Sequence, residues 1–158
     1  MNTILLAVGI CIIAAALEGL FAGPGIKQRL GELRAPRYAL PLRGWIVVAV
    51  FYYLICFVVL YRLFGLSPSL RSRTFALALV CGIMFINALW NYFFFRKRDL
   101  LQAFLIGLPY AFLVLILFLL LLRLDRAAAW SLLPYICYLP YAAAFGYQLW
   151  RLNPPLHK

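Results

Sequence analysis

Long apolar stretches occupy most of this 158-residue chain and leave little sequence for a soluble domain. They cover about residues 2–22, 45–63, 74–95, 100–122 and 127–150. A helix needs about 20 apolar residues to cross the hydrocarbon core of a bilayer, where only helices and closed barrels satisfy their backbone hydrogen bonds. The sequence therefore predicts an all-α membrane protein, a five-transmembrane-helix bundle that forms one domain over residues 1–158.

The charged residues lie mainly between these stretches. The chain has 15 Lys and Arg against 4 Asp and Glu, which gives a net charge of +11. The bases do not form one patch interleaved with aromatic residues, so we expect contacts with a lipid membrane and no binding of nucleic acid. More Lys and Arg lie on the side of the first connection and the C-terminus. The positive-inside rule therefore predicts an outside N-terminus and a cytoplasmic C-terminus.

Residues that support catalysis or metal binding are scarce in this sequence. It has no paired carboxylates, no Ser/His/Asp set and no glycine-rich phosphate loop, and its single histidine, His157, lies in the C-terminal tail. The cysteines lack Cys-x-x-Cys spacing and fall within apolar stretches as packing residues: Cys11, Cys56, Cys81 and Cys137. We predict no catalytic residue, no metal site and no required cofactor.

Residues 85–96 place two carboxamides and a tryptophan within the third apolar stretch. In a helix, one face carries Met84, Asn87, Trp90, Asn91 and Phe94. An unpaired carboxamide is costly in hydrocarbon, so this face is expected to point toward other helices or a cavity. Two interpretations remain open, because the amides could border a ligand pocket or could only bond helix to helix.

Glu18 is the only acid inside an apolar stretch, near the end of the first one. An acid at this place is a functional candidate, but its position favours a side chain that simply reaches the membrane interface. We predict the latter.

Aromatic side chains recur on one face of two further stretches. The second stretch carries Trp45, Ala49 and Tyr52, with Tyr53 at the margin, and the fifth carries Tyr135, Tyr138, Tyr141, Ala142 and Phe145. Aromatic walls with a few polar groups suit a flat, largely apolar ligand. The fourth stretch is almost wholly aliphatic and is predicted to face lipid.

The connection over residues 23–44 contains three prolines and five bases. Its prolines forbid one continuous helix, but residues 26–33 are predicted to form a short amphipathic helix. Apolar and aromatic residues, Tyr38 among them, allow this segment to pack against the bundle. We predict a lid-like loop and include Tyr38 among the candidate ligand contacts.

Four motifs in order resemble those of the translocator protein / tryptophan-rich sensory protein (TspO) family. They are Leu33-Arg-Ala-Pro-Arg-Tyr-Ala-Leu-Pro41 before a helix starting near Trp45, Asn87-Ala-Leu-Trp90-Asn91, Ala129-Trp-Ser-Leu-Leu-Pro-Tyr135 and Trp150-Arg-Leu-Asn153. The resemblance implies five membrane helices, a first loop that closes one end, a possible homodimer and a place in the inner membrane of a bacterium. It also implies binding of porphyrin, haem-like or sterol-like molecules between the helices.

The resemblance assigns roles to individual positions. Asn87, Trp90, Tyr53 and Ala142 match pocket residues of the family, whereas Ala49 and Tyr138 stand where it usually has tryptophan. Some members are reported to degrade porphyrin in light with these tryptophans, so their replacement argues against that activity. The sequence therefore predicts a binding protein for a flat hydrophobic ligand, acting in sensing or translocation. The alternatives are a porphyrin-degrading enzyme and a structural or regulatory subunit whose bundle is packed without a cavity.

Overall fold

The computed structural model describes residues 2–154, and all regular structure in that range is helical. The helices are α1 (Thr3–Ala22), α2 (Ile26–Glu32), α3 (Leu42–Phe64), α4 (Arg71–Asn91), α5 (Leu100–Leu124) and α6 (Arg126–Leu152). A π-helical turn over Tyr92–Arg96 continues α4. The prediction of an all-α protein is confirmed, and the short helix predicted in the first connection is α2. His157 lies outside the described residues.

Four of these helices are long and apolar enough to cross a membrane. They are α1, α3, α4 together with its π-helical turn, and α5. The helix α6 contains 27 residues, which is long enough for a span, but its tyrosines, prolines and polar residues make it less apolar. The chain is thus a multi-pass membrane protein, and a fifth span remains a prediction.

The long helices pack side by side around the interior. Helix α5 lies against α4 and α6, and α1 lies against α3 and α4. One apolar cluster contains Leu60, Leu63 and Leu121, all fully buried. A second, smaller cluster contains Phe94 and Phe145. The candidate site borders members of both clusters, so close packing supports parts of its wall.

The acids at the two tight turns cap helices. Asp99 accepts from the Gln102 N–H at 2.9 Å, and Asp125 accepts from the Ala128 N–H at 3.0 Å. The first turn of a helix leaves backbone N–H groups without a partner in the helix. A carboxylate just before that turn can accept hydrogen bonds from them.

Long-range ion pairs involve the same turns. The Arg62 Nε lies 2.8 Å from Asp125 Oδ2, which ties the end of α3 to the start of α6. The Arg98 Nη1 lies 3.4 Å from Glu32 Oε2, which ties α2 to the turn before α5. Only the tertiary fold brings these partners together.

The first connection is attached to the end of α6 by two hydrogen bonds, which involve the oxygen and the nitrogen of the Asn153 carboxamide. Asn153 Oδ1 accepts from the Arg34 N–H at 2.9 Å, and Asn153 Nδ2 donates to the Arg34 carbonyl at 3.0 Å. Tyr38 Oη donates to the carbonyl of Ala144 at 3.1 Å. The segment is therefore held against the C-terminal half of α6, and its role as a lid remains a prediction.

Candidate ligand-binding cavity

A cavity of about 270 Å³ lies among the long helices. Helices α3, α4, α5 and α6 provide most of the wall, α1 contributes one side chain, and α2 contributes two. The wall is mainly aromatic and aliphatic, with few polar groups. Its residues include Glu18, Ile26, Leu30, Trp45, Ala49, Tyr52, Asn87, Trp90, Asn91, Phe94, Phe104, Gly107, Tyr110, Tyr135, Tyr138, Ala142 and Phe145.

The sequence predicts nine ligand-contacting residues, and seven of them line this cavity: Trp45, Ala49, Asn87, Trp90, Tyr135, Tyr138 and Ala142. The other two, Tyr53 and Tyr38, do not. The hydroxyl of Tyr53 bonds to a side chain of α1, and that of Tyr38 bonds to the backbone of α6. Both therefore lie outside the wall and act on neighbouring segments. Ligand contact by the seven remains a prediction.

The prediction for Glu18 was wrong, since its carboxylate turns into the bundle. Oε1 accepts from Asn87 Nδ2 at 2.8 Å and from Asn91 Nδ2 at 2.6 Å, and Oε2 accepts from the Tyr53 hydroxyl. Asn87 and Asn91 are one helical turn apart, so their amides meet at one oxygen. These bonds supply the partners that a carboxylate needs at membrane depth.

The amides of α4 bond helix to helix and also border a cavity, so the two interpretations of this face do not exclude each other. Asn87 and Asn91 bond helix to helix through Glu18, and both also border the cavity. Asn91 is the more buried and donates in addition to the Asn87 carbonyl at 3.1 Å. The amide face therefore joins α4 to α1 and supplies part of the cavity wall at once.

Helix α5 does more than face lipid, contrary to prediction. Ala103, Gly107 and Ala111 recur every fourth residue and line the cavity. Their small side chains leave the space that larger residues would fill, and a Cβ added at Gly107 would meet no atom within 4 Å. This spacing is visible in the sequence and could have identified α5 as a cavity wall.

Aromatic stacking fixes the orientation of the tryptophans in the wall. Trp90 stacks on Phe94 with ring centroids 4.7 Å apart, although Phe94 belongs to the π-helical turn. Trp45 packs against Phe145 at 4.9 Å. Because each ring is held by a neighbour, the cavity presents preformed apolar faces.

A second group of polar atoms lies deeper in the wall. The hydroxyls of Tyr110 and Tyr135 bond to each other. The hydroxyl of Tyr52 is buried and has no hydrogen-bond partner within residues 2–154. A buried hydroxyl is normally paired, and the Tyr110 and Tyr135 hydroxyls follow that rule whereas the Tyr52 hydroxyl does not.

These features define a class of protein: a multi-pass helical membrane protein with an aromatic cavity between its helices. The profile of the TspO/MBR family matches residues 7–151, nearly the whole chain. The chain therefore belongs to the TspO/MBR family, as its motifs predicted. A comparison with curated proteins gives no match.

Proposed function

We propose that this protein binds a flat hydrophobic ligand, porphyrin-like or sterol-like, in the cavity and acts in the sensing or translocation of that ligand. One observation carries the proposal: aromatic and small residues from four helices line a cavity instead of filling the space by packing. Family membership supports the same role, since it suggests a membrane protein that binds or senses ligands.

The wall explains how such a ligand would be held. The rings of Trp45 and Trp90 are oriented by Phe145 and Phe94, so they offer faces for stacking without a loss of side-chain freedom on binding. Removal of apolar ligand surface from water supplies about 25 cal/mol per Å². The amide of Asn87 provides polar contact at the edge of the apolar wall.

The cavity is small for a tetrapyrrole unless the segment that contains α2 moves. Ligand pockets usually measure about 300–1,000 Å³, and this one measures about 270 Å³. A complete tetrapyrrole therefore requires more space. The helix α2 contributes Ile26 and Leu30 to the wall, and outward movement of this segment would enlarge the cavity.

Titration with protoporphyrin tests the proposal, with the shift of the Soret band as a readout that does not depend on protein tryptophan. The double variant Asn87→Ala, Trp90→Ala is expected to weaken binding at least about tenfold, which is about 1.4 kcal/mol. The variant Trp130→Phe is the matched control, because Trp130 is 60% exposed on the outside of α6. Equal affinity in wild type and the double variant would remove the proposed site.

The alternatives have their own tests. A structural subunit without a ligand would have a packed interior, and the cavity argues for the binding role instead. If the protein degraded porphyrin, the Soret band of the bound porphyrin would disappear during illumination. Ala49 and Tyr138 are the wall residues at the positions of the family tryptophans, so we expect the band to persist at the rate of a protein-free control.

The membrane arrangement forms part of this proposal. Only Asp125 separates α5 from α6, so we propose that α6 returns across the bilayer as a fifth span, with the N-terminus outside. A homodimer is proposed from the family resemblance. Labelling of single cysteines placed at Ser67 and Arg98 from each side of the membrane tests the orientation, since these two turns should face opposite sides.

A further inference from the structure

Among residues 2–154, Glu18 is the acid that neither pairs with a base nor caps a helix. The chain has four acids against 15 Lys and Arg. Glu32 and Asp125 form ion pairs, and Asp99 caps α5. Within residues 2–154, no Lys or Arg nitrogen lies within 4 Å of the Glu18 carboxylate. It is also the only acid within the helices that can cross a membrane.

The contacts of Glu18 accommodate an ionised carboxylate. Oε1 lies 2.8 Å from Asn87 Nδ2 and 2.6 Å from Asn91 Nδ2, and Oε2 bonds to the hydroxyl of Tyr53. The two amide nitrogens can only donate to this oxygen, and the hydroxyl can donate as well. All three partners are neutral, so they can stabilise a negative charge without cancelling it.

The surroundings suit an organic cation. Among the described residues, Glu18 is the only charged side chain that lines the cavity. The other walls include the faces of Trp45, Trp90 and Tyr138. A cation is attracted to aromatic faces, most strongly to tryptophan, and this attraction increases where water is excluded.

We propose that the cavity selects a flat ligand that carries a protonated nitrogen, and that Glu18 is its counter-ion. This inference rests on the proposed function, because it specifies the ligand chemistry of the same cavity. The ligand nitrogen lies beside the Glu18 carboxylate, and the aromatic walls surround the apolar part. A ligand carboxylate is excluded from the place beside Glu18, since like charges repel in a poorly hydrated cavity. The two carboxylates of protoporphyrin must therefore lie away from Glu18 when it binds.

Three pyrene probes of similar shape measure this selectivity. They are neutral methylpyrene, cationic pyrenemethylamine and anionic pyreneacetate, titrated into the purified full chain in a non-ionic detergent, with protein-free micelles subtracted. In wild type, we expect the cation to bind about 30-fold more tightly than the neutral probe, which is about 2 kcal/mol. The anion should bind more weakly than the neutral probe.

The variant Glu18→Gln separates charge from structure. Its carbonyl can still accept from Asn87 and Asn91, and its NH₂ group can donate to the phenolic oxygen of Tyr53. The ratio of cation to neutral affinity should fall from about 30 to about 1 while the neutral affinity changes less than about twofold, well under 1.4 kcal/mol. Glu32→Gln is the control, because Glu32 lies on α2 outside the cavity wall, and its ratio should stay at the wild-type value.

The outcomes distinguish the inference from the proposed function. Equal binding of cation and neutral probe to wild type, or an unchanged ratio in Glu18→Gln, overturns the inference and leaves ligand binding intact. Failure of all three probes to bind wild type overturns both. The anionic probe tests the inference on wild type alone. If it binds wild type as tightly as the cationic probe does, Glu18 is not the counter-ion, whether or not Glu18→Gln folds.

Discussion

The substitution Tyr53→Phe should lower the free energy of unfolding by about 1 kcal/mol and leave the binding of a neutral flat ligand unchanged. It deletes only the phenolic hydroxyl, which donates to Glu18 and ties α3 to α1. The ring remains and keeps its edge contact with Tyr52, at a centroid distance of 5.1 Å. Because Tyr53 does not line the cavity, the ligand loses no contact.

The magnitude follows from the surroundings of the lost bond. Hydrogen bonds to charged groups contribute about 1.5–3 kcal/mol in soluble proteins. Interhelical bonds in a membrane protein average about 0.6 kcal/mol and reach about 1.7. Glu18 is half-buried and keeps the Asn87 and Asn91 amides in the variant. Because these two donors remain, the expected loss of about 1 kcal/mol lies between the membrane average of about 0.6 and the lower limit of about 1.5 for charged groups.

Unfolding in mixed micelles with increasing denaturing detergent measures this effect, followed by helical circular dichroism. Tyr61→Phe is the control, since Tyr61 is 42% exposed in the same helix and should change the unfolding free energy by less than about 0.5 kcal/mol. In a Glu18→Ala background, Tyr53→Phe should cost almost nothing. Equal effects of the two tyrosine variants, or a full effect of Tyr53→Phe without Glu18, would refute the reasoning.

Three further predictions concern the cavity, the first connection and a helix cap. Gly107→Leu should fill open cavity space and weaken methylpyrene binding about tenfold, about 1.4 kcal/mol, with the fold retained by circular dichroism; undiminished binding would contradict the cavity assignment. Asn153→Ala removes both bonds to the Arg34 backbone, so trypsin should cleave the first connection several-fold faster, and an unchanged rate would show that this clamp is dispensable. Asp125→Ala should cost about 1 kcal/mol at pH 7 through loss of the α6 cap. Burial raises the pKa of Asp125, but the hydrogen bond from Arg62 and the backbone N–H groups lower it more. The stability it contributes is therefore present above the ordinary pKa of about 3.9 and is lost as pH falls through the lowered value, so the variant and wild type should converge in acid; a constant difference down to pH 2 would disprove the ionised cap.

The helices could be predicted from the sequence because hydropathy and proline placement act locally. Each apolar stretch must become helical in lipid, where no water pairs with its backbone. The same local reasoning placed Asn87 and Trp90 on one face, since residues three and four apart share a side of any helix. These predictions require no knowledge of which helices are neighbours.

The role of Glu18 could not be predicted in that way. Its partners lie 35 to 73 residues further along the chain, and nothing near position 18 shows that they will surround it. Without those partners, a carboxylate near a helix end is expected to reach water. The same holds for Arg62 and Asp125, whose pairing depends on the ends of α3 and α6 meeting.

The sequence by itself determined the class of protein, its helices and the family, because these depend on residue type and spacing along one segment. Only the tertiary structure decided which faces meet, that α5 provides a wall through Gly107, and that one carboxylate of α1 joins the amide face. A cavity and charge pairing are properties of several helices together. They arise when residues distant in the chain are brought within a few ångströms.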